Sequence, residues 1–376
     1  MPGEGSRVER WKQQLSKCFH SKENLPADFI LKEEEEQYFE DASSGTEGPS
    51  GPDGRFCVTP YYFNLSRELD SSMAGNDRNP IRRQFMPTIS ETVTKPYETA
   101  DPLFEQQFSP VPMMVHRYRD RVLVLITGMC AVFCRHCFRR YHIGRHTGLL
   151  APSEISPMVE YVADHPEIEE VILSGGDPLI AEEEYLEAVL TMFSSIGDRR
   201  LRFRIATRLP VVLPSRITTE LCVLLRRFAP VWMVTQFNHP AELTYESREA
   251  VESIVDMGIP LLNQTVLLRG VNDSEETLTE LFEELARMRV KPYYLFQGDL
   301  ALGTSHFRVP LGEGSQLVEK LRGNLSGLAL PAFAVDLPRG GGKAALNRDV
   351  IQSKSTGWYH LRDKEGKVYD YPDESV

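Results

Sequence analysis

The chain has 376 residues, with 42 Lys and Arg against 54 Asp and Glu, and its net charge is −12. This balance weighs against a general nucleic-acid binder, because phosphate binding needs a basic face. Six cysteines are too few for a disulfide scaffold in a chain of this length, so we expect a reduced, cytoplasmic setting. The N-terminus lacks an apolar signal-peptide core, and no apolar run reaches the roughly eighteen residues of a membrane span, so we expect no membrane partner.

The first hundred residues are polar and are predicted to form an N-terminal helical extension. The charge run at 32–36 is typical of a solvated helix face. Residues 42–54 are rich in Ser, Gly and Pro, as in a loop or linker. We therefore divide the chain into an extension at 1–100, a central domain at 101–310 and a C-terminal segment at 311–376.

From residue 121 onward, short apolar runs alternate with amphipathic segments. Near-continuous apolar runs suit parallel strands that are covered on both faces, and apolar spacings of three and four indicate helices. The pattern predicts an α/β fold with a curved parallel sheet, whose functional residues follow the carboxyl ends of the strands. The predicted strands are 122–127, 170–173, 202–206, 232–237, 261–267 and 292–296, and the predicted helical segments are 160–163, 183–193, 218–227, 247–257 and 276–288.

The C-terminal residues 358–369 alternate aromatic side chains on both sides of Gly366. Such alternation around a glycine turn is typical of a β-hairpin.

Three cysteines, Cys130, Cys134 and Cys137, follow the first predicted strand with the spacing Cys-x3-Cys-x2-Cys. Three thiolates so close in sequence favour zinc or an iron–sulfur cluster. A cubane cluster with three cysteine ligands has one iron without a protein ligand, which is open to a substrate or cofactor. We favour this open cluster on the spacing alone.

A structural zinc site is the alternative, and it needs a fourth ligand. His136, His142 or His146 can supply that ligand. The remaining cysteines are distant along the chain, and we expect no fourth cysteine near the triplet; they are Cys18, Cys57 and Cys222.

Two glycine-containing segments are further candidates. Gly175 and Gly176 follow the second predicted strand, where glycines allow a ligand to approach the backbone closely, although a plain turn has the same composition. Lys343 ends the run 339–343, which is not a phosphate-binding P-loop because Ala344 stands where Ser or Thr is required. A lysine on a mobile glycine hinge can bind pyridoxal phosphate (PLP) through its amine, and an ordinary surface lysine is the alternative.

Taken together, these segments resemble the lysine 2,3-aminomutase family of radical S-adenosylmethionine (SAM) enzymes. The resemblance extends from about residue 102 to about residue 349. It implies an open (β/α)6 partial TIM barrel, the radical SAM core, with the N-terminal helical extension and a C-terminal flap. The segments that carry it, besides the cysteine triplet, are 117–121, 138–140, 174–178, 237–240, 263–270, 298–308 and 336–343.

The resemblance also implies roles for individual residues. The triplet would bind a [4Fe-4S] cluster whose open iron binds SAM, and Lys343 would hold PLP. Further SAM contacts are implied for Ser174, Gly175, Gly176, Asp177 and Gln264. Phosphate contacts to PLP are implied for Arg117, Tyr118 and Arg121, and substrate contacts are implied for Arg139 with a carboxylate and for Asp299 and Asp336 with an ammonium group.

The implied activity is an isomerase that moves an α-amino group to the β-carbon through a radical generated from SAM, with L-lysine to L-β-lysine as the leading assignment. Arginine, glutamate or a protein-bound lysine, such as that of elongation factor P, are alternative substrates. A non-enzymatic zinc-binding module is the alternative from a different class. The resemblance further implies an electron donor of flavodoxin or ferredoxin type and allows a homo-oligomer.

The chain departs from the family pattern at three places, one of which is the unusual Gln297-Gly298 pair ahead of Asp299. No cysteine follows Cys222, so the zinc site that joins subunits in clostridial members is not expected. Phe296 stands where we expect a tyrosine, which leaves the surroundings of the cofactor altered.

Overall fold

The computed structural model describes residues 4–43, 55–72, 79–140, 148–346, 351–355, 358–362 and 366–372. Most of the predicted loop at 42–54 lies outside these residues, and its first two positions end a helix instead. His142 and His146, two of the candidate zinc ligands, also lie outside the described residues.

A nine-stranded sheet forms the centre of the molecule, with its strands in sequence order from β1 to β9. Adjacent strands from β2 to β8 run parallel to one another. At the two edges, β1 pairs antiparallel with β2 and β9 pairs antiparallel with β8. The strands are β1 Met114–Tyr118, β2 Arg121–Thr127, β3 Glu170–Gly175, β4 Arg202–Ala206, β5 Val231–Thr235, β6 Leu261–Leu267, β7 Lys291–Gln297, β8 Ala332–Leu337 and β9 Gly342–Ala345.

Eleven α-helices are present in the described residues. They are α1 Glu4–Ser16, α2 Glu33–Ser43, α3 Pro60–Ser72, α4 Arg82–Phe85, α5 Pro152–Asp164, α6 Glu183–Ser194, α7 Leu209–Val212, α8 Thr219–Arg227, α9 Tyr245–Asp256, α10 Glu275–Arg287 and α11 Leu311–Asn324. None of these helices is long and apolar enough to cross a membrane.

The predicted fold class is confirmed: the sheet is a curled, open half-barrel of parallel strands, built from six strand–helix units and followed by β8. All six predicted strands are present. The prediction for β5 extended two residues too far. The backbone N–H of Phe237 donates to the Asn263 side chain (2.7 Å), so Phe237 lies beyond the end of the strand. The sequence did not indicate β8, whose end residues Ala332 and Leu337 are exposed.

The five predicted helical segments correspond to α5, α6, α8, α9 and α10. Helix α10 shows why the apolar spacing is a reliable signal: Leu278, Leu281, Phe282 and Leu285 are all buried and lie on one face of the helix. At its start, the Ser274 side chain accepts a hydrogen bond from the Thr277 N–H, which caps the helix.

The N-terminal extension packs into the main core, where the aromatic side chains of Trp11, Tyr38 and Tyr62 are buried. The interpretation of 32–36 as a solvated helix face is wrong for Glu35, which is buried and pairs with Arg82 at 2.5 Å. One residue in each turn faces inward, and a buried carboxylate requires a partner of opposite charge.

The predicted C-terminal hairpin is present as β11 Trp358–Arg362 and β12 Val368–Pro372, with Tyr359 opposite Tyr371. A third strand, β10 Ile351–Ser355, pairs with β11 and was not predicted. The proposed boundaries at 100 and 310 stay predictions. Beyond residue 310, β8 and β9 still pair with the barrel sheet.

Candidate active site

A cavity of about 690 Å³ lies against the central sheet, and each of the nine strands contributes to its lining. Every residue that the sequence singled out for a cofactor or a substrate lines this cavity. They are Arg117, Tyr118, Arg121, Cys130, Cys134, Cys137, Arg139, Ser174, Gly175, Gly176, Asp177, Gln264, Asp299, Asp336 and Lys343.

The three cysteines lie in the loop that follows β2 and face the cavity. Burial, together with the neighbouring sulfurs, raises the pKa of Cys130 well above its ordinary value and that of Cys137 to about 11. Buried thiols of this kind are protonated until a metal ion binds and takes the place of the proton. Three cysteine sulfurs that face one cavity are the donor set of a thiolate-ligated cluster.

Among the described residues, no three Cys, His, Asp or Glu side chains are arranged to hold a single metal ion. A cluster does not require such an arrangement, because each cysteine ligates a different iron. His136, a candidate zinc ligand, also lines the cavity, and its Nε2 atom lies 3.0 Å from Nε2 of Gln236. Burial lowers the pKa of His136 well below its usual value, so the ring is neutral.

Arg208, which the sequence analysis did not single out, contacts the triplet directly. Its Nη1 atom donates to the Cys134 sulfur at 2.8 Å, and its Nη2 atom donates to the Tyr62 hydroxyl (3.1 Å) and to Glu242 (2.7 Å). Burial acts to lower the pKa of Arg208, but Cys134, Tyr62 and Glu242 raise it overall. The only signal in the sequence was its position, two residues after the carboxyl end of β4.

The expectation that no fourth cysteine lies near the triplet is wrong. The Cys57 sulfur donates to the carbonyl of Ala131 (3.4 Å), and the Cys18 sulfur lies 3.8 Å from the same carbonyl. A hydrogen bond with Cys18, together with burial, raises the pKa of Cys57 well above its ordinary value. Both residues belong to the N-terminal extension, and its folding against the loop brings them there.

Gly175 and Gly176 allow two loops to touch through their backbones. A Cβ atom at Gly175 would lie 2.2 Å from the Thr127 carbonyl oxygen, and one at Gly176 would lie 1.8 Å from the Met129 carbonyl oxygen. The φ of Gly175 is +128°, which disfavours other residues. We expected a ligand to approach the backbone of these glycines, and the structure shows that the segment just before Cys130 does so. Both glycines also line the cavity.

Asp177 holds the same region together. Its Oδ1 atom accepts from the Thr207 hydroxyl (2.7 Å) and its Oδ2 atom accepts from the Arg208 N–H (2.7 Å), while burial raises the pKa of Asp177 to about 6. Gln264 reaches the cavity because side chains alternate along β6. Ser174 lines the cavity from β3.

Arg117 and Tyr118 on β1 and Arg121 on β2 form one end of the lining. The Arg121 guanidinium lies 4.0 Å from the Tyr118 ring centre. Across the described chain, the Nη2 atom of Arg117 is buried without a hydrogen-bond partner. A Cβ atom at Gly342 would lie 3.8 Å from this nitrogen and 3.9 Å from the Tyr118 hydroxyl. A buried donor without an acceptor is unfavourable, so this end of the cavity fits an anionic group.

Lys343 lies in β9, so it sits on a paired strand rather than on the mobile hinge that its sequence indicated. The turn before it requires glycine at Gly340 and Gly342, whose φ angles are +74° and +87°. Its Nζ atom lies 3.0 Å from Asp336 Oδ2 and 3.9 Å from the ring centre of Phe296. The position where a tyrosine was expected therefore presents an aromatic face to the lysine ammonium.

Asp299 follows β7 and shares the cavity with Asp336 on β8. Burial, and then repulsion from Asp336, raises the pKa of Asp299 to about 7, although Lys343 and Arg139 act in the opposite direction. The two acids are thus close enough to interact, and one of them already holds an ammonium group.

Arg139 makes a two-pronged ion pair with Glu105, which sequence reasoning also missed. Its Nε atom donates to Glu105 Oε2 (2.8 Å), and its Nη2 atom donates to Oε1 (2.5 Å). Arg140, by contrast, bonds to the carbonyls of Arg135 (3.0 Å) and Gly303 (3.1 Å), as a structural residue does.

Two family models match different parts of the chain. The sequence model of the radical SAM superfamily matches residues 124–282, and that of lysine-2,3-aminomutase matches residues 318–375. The L-lysine 2,3-aminomutase of Fusobacterium nucleatum is 45% identical over 84% of this chain and 73% of its own length. That of Clostridium subterminale is 43% identical over 84% of this chain and 74% of its own. The glutamate 2,3-aminomutase of Clostridioides difficile is 36% identical over 97% of this chain and 82% of its own.

Among solved structures, Streptococcus suis SuiB bound to S-adenosylmethionine matches 57% of this chain and 50% of its own, with a TM-score of 0.42 and 12% identity.

The half-barrel and its cysteine loop define a radical SAM enzyme, a class that implies a [4Fe-4S] cluster and SAM. Within that class, the chain belongs to the lysine 2,3-aminomutase family, whose members are isomerases.

Proposed function

We propose that the protein is a SAM- and PLP-dependent 2,3-aminomutase that converts L-lysine into L-β-lysine. When bound, the cluster and SAM supply the radical that removes a hydrogen atom from the β-carbon, and PLP carries the migrating nitrogen. The chain's own residues hold these groups, orient the substrate and keep water away from it.

One observation carries the choice of lysine. Within the cavity, the alkylammonium group of Lys343 already lies 3.0 Å from Asp336. Asp299 is close to both residues, since Asp336 raises its pKa and Lys343 lowers it. A lysine substrate has such an ammonium group at the end of its side chain. When the Lys343 amine is engaged by PLP, Asp336 and Asp299 become available to that group. A buried ammonium requires a charged partner of this kind.

The proposal that the protein requires PLP rests on positively charged groups at the other end of the site. The buried Nη2 atom of Arg117 has no hydrogen-bond partner among the described residues, and the Tyr118 hydroxyl and Gly342 lie near it, which supports a phosphate contact at this end of the cavity. Guanidinium groups are the usual partners of phosphate, and Arg121 adds a second one at this end of the cavity. Lys343 adjoins this end, since its backbone N–H donates to the Tyr118 hydroxyl (3.1 Å), and its side-chain amine would hold PLP.

Glutamate is the second candidate substrate, because the glutamate 2,3-aminomutase of Clostridioides difficile matches 97% of this chain. A glutamate side chain would bring a third carboxylate beside Asp299 and Asp336. Like charges repel more strongly where little water screens them, so the acid pair favours lysine.

The test is anaerobic incubation of the reconstituted protein with SAM, PLP, a reductant and lysine, arginine or glutamate. We expect β-lysine from lysine, identified by mass spectrometry and NMR. Faster conversion of glutamate than of lysine would remove the substrate assignment and leave the aminomutase activity standing.

Metal analysis tests the cluster separately. The protein is expected to contain iron and labile sulfide, and Cys134→Ala should lose both. Cys222→Ala, a change of a buried cysteine on α8, should lose neither. Zinc without sulfide would instead support the zinc-binding module. The flavodoxin- or ferredoxin-type donor, the homo-oligomer and the cytoplasmic location remain proposals that accompany this function.

A further inference from the structure

We propose that Glu105 is a positioning residue that fixes Arg139 for the α-carboxylate of the substrate and keeps Arg139 apart from the acids that bind the substrate's ammonium group. The proposal rests on the proposed function, in which Arg139 binds the carboxylate and Asp299 and Asp336 bind the ammonium. It assigns to Glu105 the separation of these two charged subsites.

The ion pair fixes the orientation of the guanidinium group. Glu105 occupies the edge formed by Nε and Nη2, at 2.8 and 2.5 Å. The Phe138 ring centre lies 4.6 Å from the guanidinium carbon. Nothing in the described part of the chain bonds to Nη1, and Arg139 lines the cavity. Nη1 is therefore the donor that remains for a ligand carboxylate.

The backbone of Glu105 is itself held in place. Its N–H donates to Asp101 Oδ1 (2.9 Å), and the Gln106 N–H donates to Asp101 Oδ2 (3.2 Å). The preceding Phe104 has a φ of 55°, a left-handed conformation that is uncommon for a residue other than glycine. Such a conformation persists where surrounding contacts enforce it. Glu105 is thus presented to Arg139 by a fixed turn.

The charges of the cavity explain why this partner is needed. Arg139 and Asp299 carry opposite charges and line the same cavity. A buried arginine without Glu105 would be drawn to Asp299, and that contact would remove both the carboxylate subsite and half of the ammonium subsite. By satisfying one edge of Arg139, Glu105 leaves Asp299 available for the substrate.

In an alternative role, Glu105 would compete with the substrate carboxylate for Arg139 and would have to leave Arg139 when the substrate binds. The geometry favours positioning, because Glu105 uses only one edge of the guanidinium and both side chains are largely buried, at 14% and 15% exposure. The two roles predict opposite effects when the Glu105 charge is removed. If Glu105 competes with the substrate carboxylate for Arg139, its loss tightens substrate binding, and if it positions Arg139, its loss weakens that binding.

The experiment measures binding by isothermal titration calorimetry on anaerobic holoenzyme without reductant, so that no turnover occurs. The ligands are L-lysine and 1,5-diaminopentane, which is lysine without its carboxylate. The proteins are the unmodified chain, Glu105→Gln, Arg139→Gln and the double variant. Glu313→Gln, which removes the acid of an exposed ion pair with Arg269, is the matched control.

Glu105→Gln should weaken lysine binding about tenfold and change 1,5-diaminopentane binding much less, because the effect acts through the carboxylate contact. In the Arg139→Gln background, Glu105→Gln should cause no further loss, since the two residues act as one unit. Glu105→Asp, which keeps the charge on a shorter side chain, should bind lysine more tightly than Glu105→Gln.

Tighter lysine binding by Glu105→Gln, equal losses for both ligands, or additive losses in the double variant would each overturn the proposal. These binding results are independent of turnover. A chain that converts lysine but shows additive losses retains the proposed function and loses this inference, whereas a chain that shows the coupled losses without converting lysine loses the proposed function alone.

Discussion

Lys343 and Asp336 face each other across β8 and β9, and the Nζ atom of Lys343 lies 3.0 Å from Asp336 Oδ2. The lysine proposed to hold PLP and an acid proposed to bind the substrate's ammonium are therefore cross-strand partners in one hairpin. Their separation is fixed by the strand register and not by a flexible loop. This hairpin links the cofactor and substrate parts of the proposed site.

Lys343→Arg should abolish covalent attachment of PLP while keeping a cation beside Asp336. After borohydride reduction, peptide mapping should find the pyridoxyl label on residue 343 of the unmodified protein and no label in the variant. Lys320→Arg, at an exposed lysine paired with Glu275, should retain the label. A label that persists in Lys343→Arg at another lysine would contradict the assignment.

Lysine affinity should depend on pH through Asp299, whose pKa is raised to about 7 by burial and by Asp336. The carboxylate must be ionised to bind an ammonium group, so at lower pH the incoming ligand has to displace a proton. Affinity should therefore rise as pH increases from about 6 to about 8 and then level off, with a limiting slope of about tenfold per pH unit.

Calorimetric titrations at several pH values measure this dependence. Asp299→Asn should flatten it, and norleucine, which lacks the side-chain ammonium, should not show it. A pH-independent lysine affinity in the unmodified protein would mean that Asp299 does not contact the ligand.

Gly176→Ala should displace the segment before Cys130, because the new Cβ atom would lie 1.8 Å from the backbone oxygen of Met129. We expect a loss of about 1–3 kcal/mol in the free energy of unfolding and reduced iron uptake on reconstitution. At Gly323 in α11, no described atom lies within 4 Å of the Cβ position. Gly323→Ala should therefore stabilise the protein by about 0.5–1 kcal/mol. Equal stabilities of the two variants would be inconsistent with the close contact.

Arg208→Met should destabilise the metal-free protein by about 3–5 kcal/mol, because it leaves the fully buried Glu242 without its cation. Denaturant unfolding provides the measurement. Arg227→Met, which breaks an exposed pair with Glu187, should cost about 0–1 kcal/mol. If the unpaired charge of Glu242 is the cause, Glu242→Gln in the Arg208→Met background should restore part of the lost free energy of unfolding. An unchanged free energy of unfolding would argue against this cause.

The strands and helices of the barrel could be predicted because their apolar residues follow simple periods, as the buried face of α10 shows. The cysteine triplet could be predicted because its ligands are adjacent in sequence. Strand β8 was missed because its ends are exposed and it carries Asp336.

The contacts that orient the site residues could not be predicted, since they join residues far apart in the chain. Glu105 and Arg139 are 34 positions apart, and Arg208 and Cys134 are 74 positions apart. An isolated arginine or glutamate in a sequence is usually a surface residue. Only the fold shows that these two side chains, Glu105 and Arg208, have buried partners in the cavity.

The contacts around Cys134 also bear on the order of chain synthesis. Its partner Arg208 is held by Tyr62, made early, and by Glu242, which leaves the ribosome more than a hundred residues after the cysteine. Until Glu242 has emerged, Arg208 has no buried counter-charge and the cysteine loop is incomplete. We therefore expect iron to be loaded after translation of the barrel is well advanced, so that a stalled or prematurely terminated chain would carry the three cysteines and still fail to retain a cluster.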